Sequence, residues 1–102
     1  MGPLRSMLAK GLSLSFEEPI SFCEKNINIY GYVDLVARDG SNVFIVDFKS
    51  SEVSMNSYST KIQLLLYAKF FLKNFNGNVF MSSCMIGSDK DLKWIPVNRV
   101  FL

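Results

Sequence analysis

Two β-forming runs, residues 27 to 38 ("INIYGYVDLVAR") and 43 to 49 ("VFIVDFK"), restrict the fold most, because only "DGSN" separates them. Both are rich in Ile, Val, Tyr and Phe, residues that suit a pleated, half-buried surface. Asp-Gly and Asn tolerate positive φ, so the connection predicts a hairpin whose strands pair antiparallel. Each run nevertheless carries one aspartate, Asp34 or Asp47, inside a segment that otherwise reads as buried strand.

The remaining elements arrange themselves around this hairpin. Leu12 to Cys23 alternates loosely and contains Pro19, which predicts an edge or irregular strand. "EKN" supplies a turn, and the polar, serine-rich "SSEVSMNSYS" follows the hairpin as a loop. Tyr58 to Asn74 is too long and too rich in Leu and Lys for a strand and predicts a helix. Its apolar positions, among them Ile62, Leu65, Leu66, Ala68, Phe70 and Leu72, wrap past one stripe, so the helix is expected to be covered on more than one side. "NFNGN" ends it. Residues 78 to 86 read as a strand, "GSDKD" as a turn and 92 to 97 as a short last strand. The order is β-β-β-α-β-β, a mixed sheet against a helix, and 102 residues are enough for one core, so residues 1–102 are expected to form a single domain. The opening "MGPLRSM" is assigned no element.

Composition excludes several classes of function. With 49% apolar and 20% charged residues the chain is globular rather than disordered or repetitive. The greasiest run, "IQLLLYAKFFL", is too short to span a bilayer and contains Lys69, so no membrane association is expected. No secretory leader is visible, which makes a cytoplasmic setting, or a nuclear one in a eukaryote, the expectation. The two cysteines, Cys23 and Cys84, lie far apart, and there is no histidine. A Cys/His zinc site, an iron–sulfur cluster within one chain, and Ser-His or Cys-His catalysis therefore lack their parts. Both cysteines read as small core residues. A net charge of +2 is compatible with a polyanionic partner without pointing to one.

Alternation along a strand places Asp47 and Lys49 on one face and Phe48 on the other. If "DGSN" is a four-residue loop, Arg38 faces Val43 and Asp34 stands opposite Asp47. If the loop is only Asp39-Gly40, Asp47 faces Tyr32 and Asp34 is its diagonal neighbour. Either register brings the carboxylates together, and like charges in that position repel. A divalent hard cation answers the repulsion, since Mg²⁺ takes one or two carboxylates and completes its shell with waters and phosphate oxygens. Lys49 would then neutralise charge on a phosphoryl oxygen or hold an attacking water. The alternative is a solvated Asp34 beside a plain Asp47–Lys49 ion pair.

"GYVD" resembles the Gly-x-x-Asp motif of the RecB-like branch of the PD-(D/E)XK nuclease superfamily. "IVDFKS" resembles its Asp-x-Lys strand, "QLLLY" its Gln-x-x-x-Tyr helix, and "FEEPISF" the strand before the first aspartate. The resemblance runs from Phe16 to Phe71. It implies a restriction-endonuclease-like α/β fold and Mg²⁺- or Mn²⁺-dependent cleavage of DNA. It also implies that Asp34, Asp47 and the Phe48 carbonyl are metal ligands, that Lys49 assists the water or the transition state, and that Gln63 and Tyr67 face the metal site or the DNA backbone. Taken alone, Gln63 also suits a capping box with Thr60, and Tyr67 an ordinary core position. Members of that branch generally carry a further acidic residue, often with a histidine, on a helix before the first strand; here Glu17 and Glu18 are the acids available for that place. The four-cysteine cluster of some relatives is absent, and larger members continue with further helices. Three readings follow: a small nuclease completed by self-association as a homo-oligomer, a core completed by an additional segment, or a non-catalytic module that binds DNA or a protein partner. Lys61, Lys69 and Lys73 either meet phosphates or form the solvated edge of the helix.

Overall fold

The computed structural model describes residues 3–51, 57–86 and 92–97. Its elements are α1 (Pro3–Ala9), β1 (Ser13–Glu24), β2 (Ile27–Arg38), β3 (Asn42–Lys49), α2 (Tyr58–Asn74), β4 (Asn78–Met85) and β5 (Ile95–Val97). The strands form one sheet in the order β1-β2-β3-β4-β5. β3 and β4 run parallel across the α2 crossover, and the other pairings are antiparallel. This is the expected mixed sheet with a helix on it, of restriction-endonuclease-like type. No described helix is long and apolar enough to cross a membrane.

The sheet is apolar on both faces. One face packs Val36, Val43, Ile45, Val79 and Met81 under Leu64, Tyr67, Ala68 and Phe71 of α2. The other gathers Leu35, Ala37, Val46 and Cys84 around Met7 of α1, with Phe44 and Trp94 against them. Burial on two faces explains why β3 is a nearly unbroken apolar run rather than an alternating one. The hairpin register pairs Arg38 with Val43, which selects the four-residue loop. Asp39 closes that loop by accepting the Ser41 and Asn42 N–H groups at 2.8 Å.

Several expectations need correction. The unassigned opening contains α1, whose buried Met7 closes the second core; seven residues carry too little periodicity to announce a helix, and its local signal is Gly11, which ends it at φ of 79° while the Gly11 and Leu12 N–H groups donate back to the Leu8 and Met7 carbonyls. The last strand is only Ile95–Val97, because 92–94 supply Leu92 and Trp94 to the second core without joining the ladder. α2 keeps its expected bounds but is covered on one side, leaving Ile62 at 42% and Leu65 at 38% exposure among the described residues. Cys84 is buried as expected, whereas Cys23 is exposed near the end of the β1–β2 hairpin. The turn assigned to 87–91 and residues 52–56 of the serine-rich loop lie outside the described residues.

Candidate active site

The site begins where the pairing of β2 with β3 ends. The ladder runs from Arg38↔Val43 to Leu35↔Val46 and stops there. Continued in the same register it would bring Phe48 to Val33; instead the Phe48 N–H donates to Asp34 Oδ2 at 2.8 Å. The side-chain carboxylate has taken the place of a backbone acceptor. On its other side β3 still pairs with β4, where the Lys49 carbonyl accepts the Ile86 N–H at 2.8 Å. Alternation along the strand then turns both the N–H and the C=O of Phe48 toward β2, so its carbonyl faces the same opening as Asp34.

A slip in side-chain phase accounts for the opening. Val33 packs with the α2-side core, yet Leu35, two residues on, packs with the opposite core. In a regular strand residues two apart share a face, so β2 loses one step of alternation here. β1 is disturbed at the matching point. Phe16 pairs with Leu35 and Glu18 with Val33, while Glu17 between them drops out of the ladder with φ of 50°. That is left-handed backbone, which costs a non-glycine residue on the order of 1–2 kcal/mol. The slip lets Gly31 and Asp34, three residues apart, both serve the α2 side.

Asp47 is 5% exposed and shares its face with Lys49, whose Nζ lies 3.1 Å from Asp47 Oδ2. Despite that ion pair, Oδ2 is buried without an aligned hydrogen bond. Burial pushes the Asp47 carboxyl above the usual range; Lys49 pulls it back, and the neighbouring Asp34 pushes it up again. Two neighbouring carboxylates, with a strand carbonyl facing the same opening, are oxygen donors of the kind a hard cation takes. Ser83, the register partner of Asp47 on β4, lies beside it; its small, unremarkable residue type gave no sequence signal.

α2 closes the site from above. Ser57 caps the helix by accepting the Thr60 N–H at 3.2 Å. Gln63 is thereby released from the capping box considered for it. Its Nε2 donates to the Tyr67 hydroxyl at 2.9 Å, and its Oε1 faces Lys49 Nζ at 3.5 Å. Tyr67 is both a core residue and a member of this chain of contacts.

The sequence-selected acids outside this group fare differently. Glu18 is held by Arg38, whose Nη1 donates to it at 2.7 Å while the guanidinium lies over the Phe71 ring. It is therefore committed to tying β1 to β2, a pairing that twenty residues of separation hid. Glu17 is exposed opposite Asp34, and no group of three or more acidic, Cys or His side chains suited to a metal occurs among the described residues. Lys69 and Lys73 are engaged by Glu24 at 2.6 and 3.2 Å, which holds its carboxyl below the usual range.

A family model described as the PD-(D/E)XK nuclease superfamily matches residues 6–88. The fold is similar to the solved structure of SSO0001, with a TM-score of 0.53 and 17% identity, over 93% of this chain and 46% of that one. The chain thus spans a little under half the length of that protein. No curated protein matches the sequence.

Proposed function

Because the chain belongs to the PD-(D/E)XK nuclease superfamily, we propose that it hydrolyses DNA phosphodiesters in the manner of the RecB-like branch, with Mg²⁺ or Mn²⁺ as cofactor. The observation that carries this reading is Asp47, buried beside a second carboxylate, with Lys49 paired to its Oδ2 at 3.1 Å. Asp34, Asp47 and the Phe48 carbonyl would hold the ion. When bound it would supply positive charge to the scissile phosphate and acidify a water. Lys49, 3.1 Å from Asp47, would neutralise a non-bridging phosphoryl oxygen or orient the water. Water oxygen forms the new P–O bond as the bridging P–O bond breaks, and the departing oxygen takes up a proton. Gln63 borders Lys49, and Tyr67 in turn borders Gln63, which fits a role in orienting the lysine. We take residues 1–102 as one nuclease-like core, and a cytoplasmic or nuclear setting suits a DNA substrate.

A second reading is a non-catalytic module that binds DNA or a protein partner. It is favoured by the lack of a third acidic ligand among the described residues. Self-association or an additional segment would supply that ligand in an active enzyme. Incubating the purified chain with labelled single- and double-stranded DNA, first with Mn²⁺ and then with excess chelator, separates the two. Chelator-sensitive cleavage supports the nuclease; intact DNA at every metal concentration supports the module.

A further inference from the structure

We propose that Gly31 and Tyr67 are positioning residues that act together on Lys49 through Gln63. The effect on turnover rests on the nuclease reading; the geometry does not. An amide has a donor end and an acceptor end, and only the acceptor end can meet an ammonium favourably. The Tyr67 hydroxyl takes the donor end, accepting from Gln63 Nε2 at 2.9 Å, and this leaves Oε1 facing Lys49 Nζ. Without the phenol oxygen Nε2 loses its acceptor, and the amide is held by its 3.5 Å contact with Lys49 alone, which leaves the lysine a less firmly fixed partner.

The phenol is held in place by a missing side chain. A Cβ on Gly31 would stand 3.3 Å from Tyr67 Cε1 and 3.4 Å from its hydroxyl oxygen. That is tight enough to move the ring by a few tenths of an ångström, a displacement that a 2.9 Å hydrogen bond registers. Gly31 does not lie in the left-handed region, so this position calls for space rather than for glycine's backbone freedom. The phase slip between Val33 and Asp34 places the glycine on the α2 side together with the aspartate three residues later. The glycine and the tyrosine, read in sequence as parts of separate motifs, thus form one device.

The test is a double-mutant cycle of Gly31→Ala and Tyr67→Phe, measured as kcat and KM for DNA cleavage with Mn²⁺. The side-chain amide signals of Gln63 are followed by NMR in the same four proteins without metal. Each single variant is expected to lower kcat about three- to tenfold, the worth of one hydrogen bond, with KM unchanged. The double variant is expected to be no slower than the slower single. The Gln63 amide signals are expected to move in both singles. Losses that multiply in the double variant, or Gln63 signals that stay in place in Tyr67→Phe, would overturn the proposal. Tyr67→Phe keeps the ring and its packing, so it decides the matter if Gly31→Ala fails to fold. If the parent does not cut DNA, the nuclease reading fails while the amide signals still decide this one.

Discussion

Asp34 Oδ2 accepts the Phe48 N–H at 2.8 Å at the point where β2 and β3 part. The carboxylate is thus a structural acceptor as well as a charge near Asp47, and two substitutions separate these roles. Asp34→Asn keeps an acceptor oxygen, whereas Asp34→Ala leaves a part-buried donor unpaired. Asp34→Ala should be less stable than Asp34→Asn by about 1–2 kcal/mol, measured by urea denaturation in chelator at neutral pH. Equal stability would mean that the hydrogen bond contributes nothing.

The raised pKa of Asp47 gives a pH signature of defined sign. The folded state holds this proton more tightly than the unfolded chain, whose carboxyl has its ordinary value of 3.8. The contribution of Asp47 to stability therefore falls as pH rises from about that value through the raised folded pKa, and is constant above it. Glu24 and Asp39, both lowered, act oppositely and lose their contribution as pH falls. Comparison with Asp47→Asn cancels them. In chelator, Asp47→Asn should gain stability relative to the parent as pH is raised from 4 toward 7; a difference independent of pH would contradict the assignment.

α2 carries Gln63 and Tyr67 over the sheet, and Ser57 fixes its first turn. Ser57→Ala removes the cap and should cost about 1 kcal/mol in denaturant melts. Loss within a few tenths of zero would show that the helix is held by its buried face alone.

Much of this was legible in local sequence. The hairpin around "DGSN", though not its register, the same-face placement of Asp47 with Lys49 and the bounds of Tyr58–Asn74 all follow from turn chemistry and periodicity. What stayed hidden depends on distant partners or broken periodicity. Glutamate has no special preference for positive φ, so nothing marked Glu17 as the point where alternation slips, and without the slip Gly31 and Asp34 fall on opposite faces. Glu18 reads in sequence as an acid near the first aspartate, yet Arg38, twenty residues on, claims it. The apolar wrap of α2 suggested cover on several sides because exposed Ile62 and Leu65 look like core residues in a sequence.

Lys49 borders Asp47 without being an oxygen ligand, so its removal should separate chemistry from ion binding. Lys49→Ala should abolish cleavage, a loss of at least about 10²-fold as for other transition-state donors, while Mn²⁺ still raises the melting temperature. Cleavage at the parental rate would remove Lys49 from the mechanism.

If Asp34, Asp47 and the Phe48 carbonyl form one divalent-cation site, Mn²⁺ titration followed by NMR locates the ion there. Paramagnetic broadening is expected first at the amides of Asp34, Asp47, Phe48 and Ser83 in the parent, and is expected to vanish from them in Asp47→Asn. Broadening that begins elsewhere, or that is the same in both proteins, would contradict a cation site at these residues.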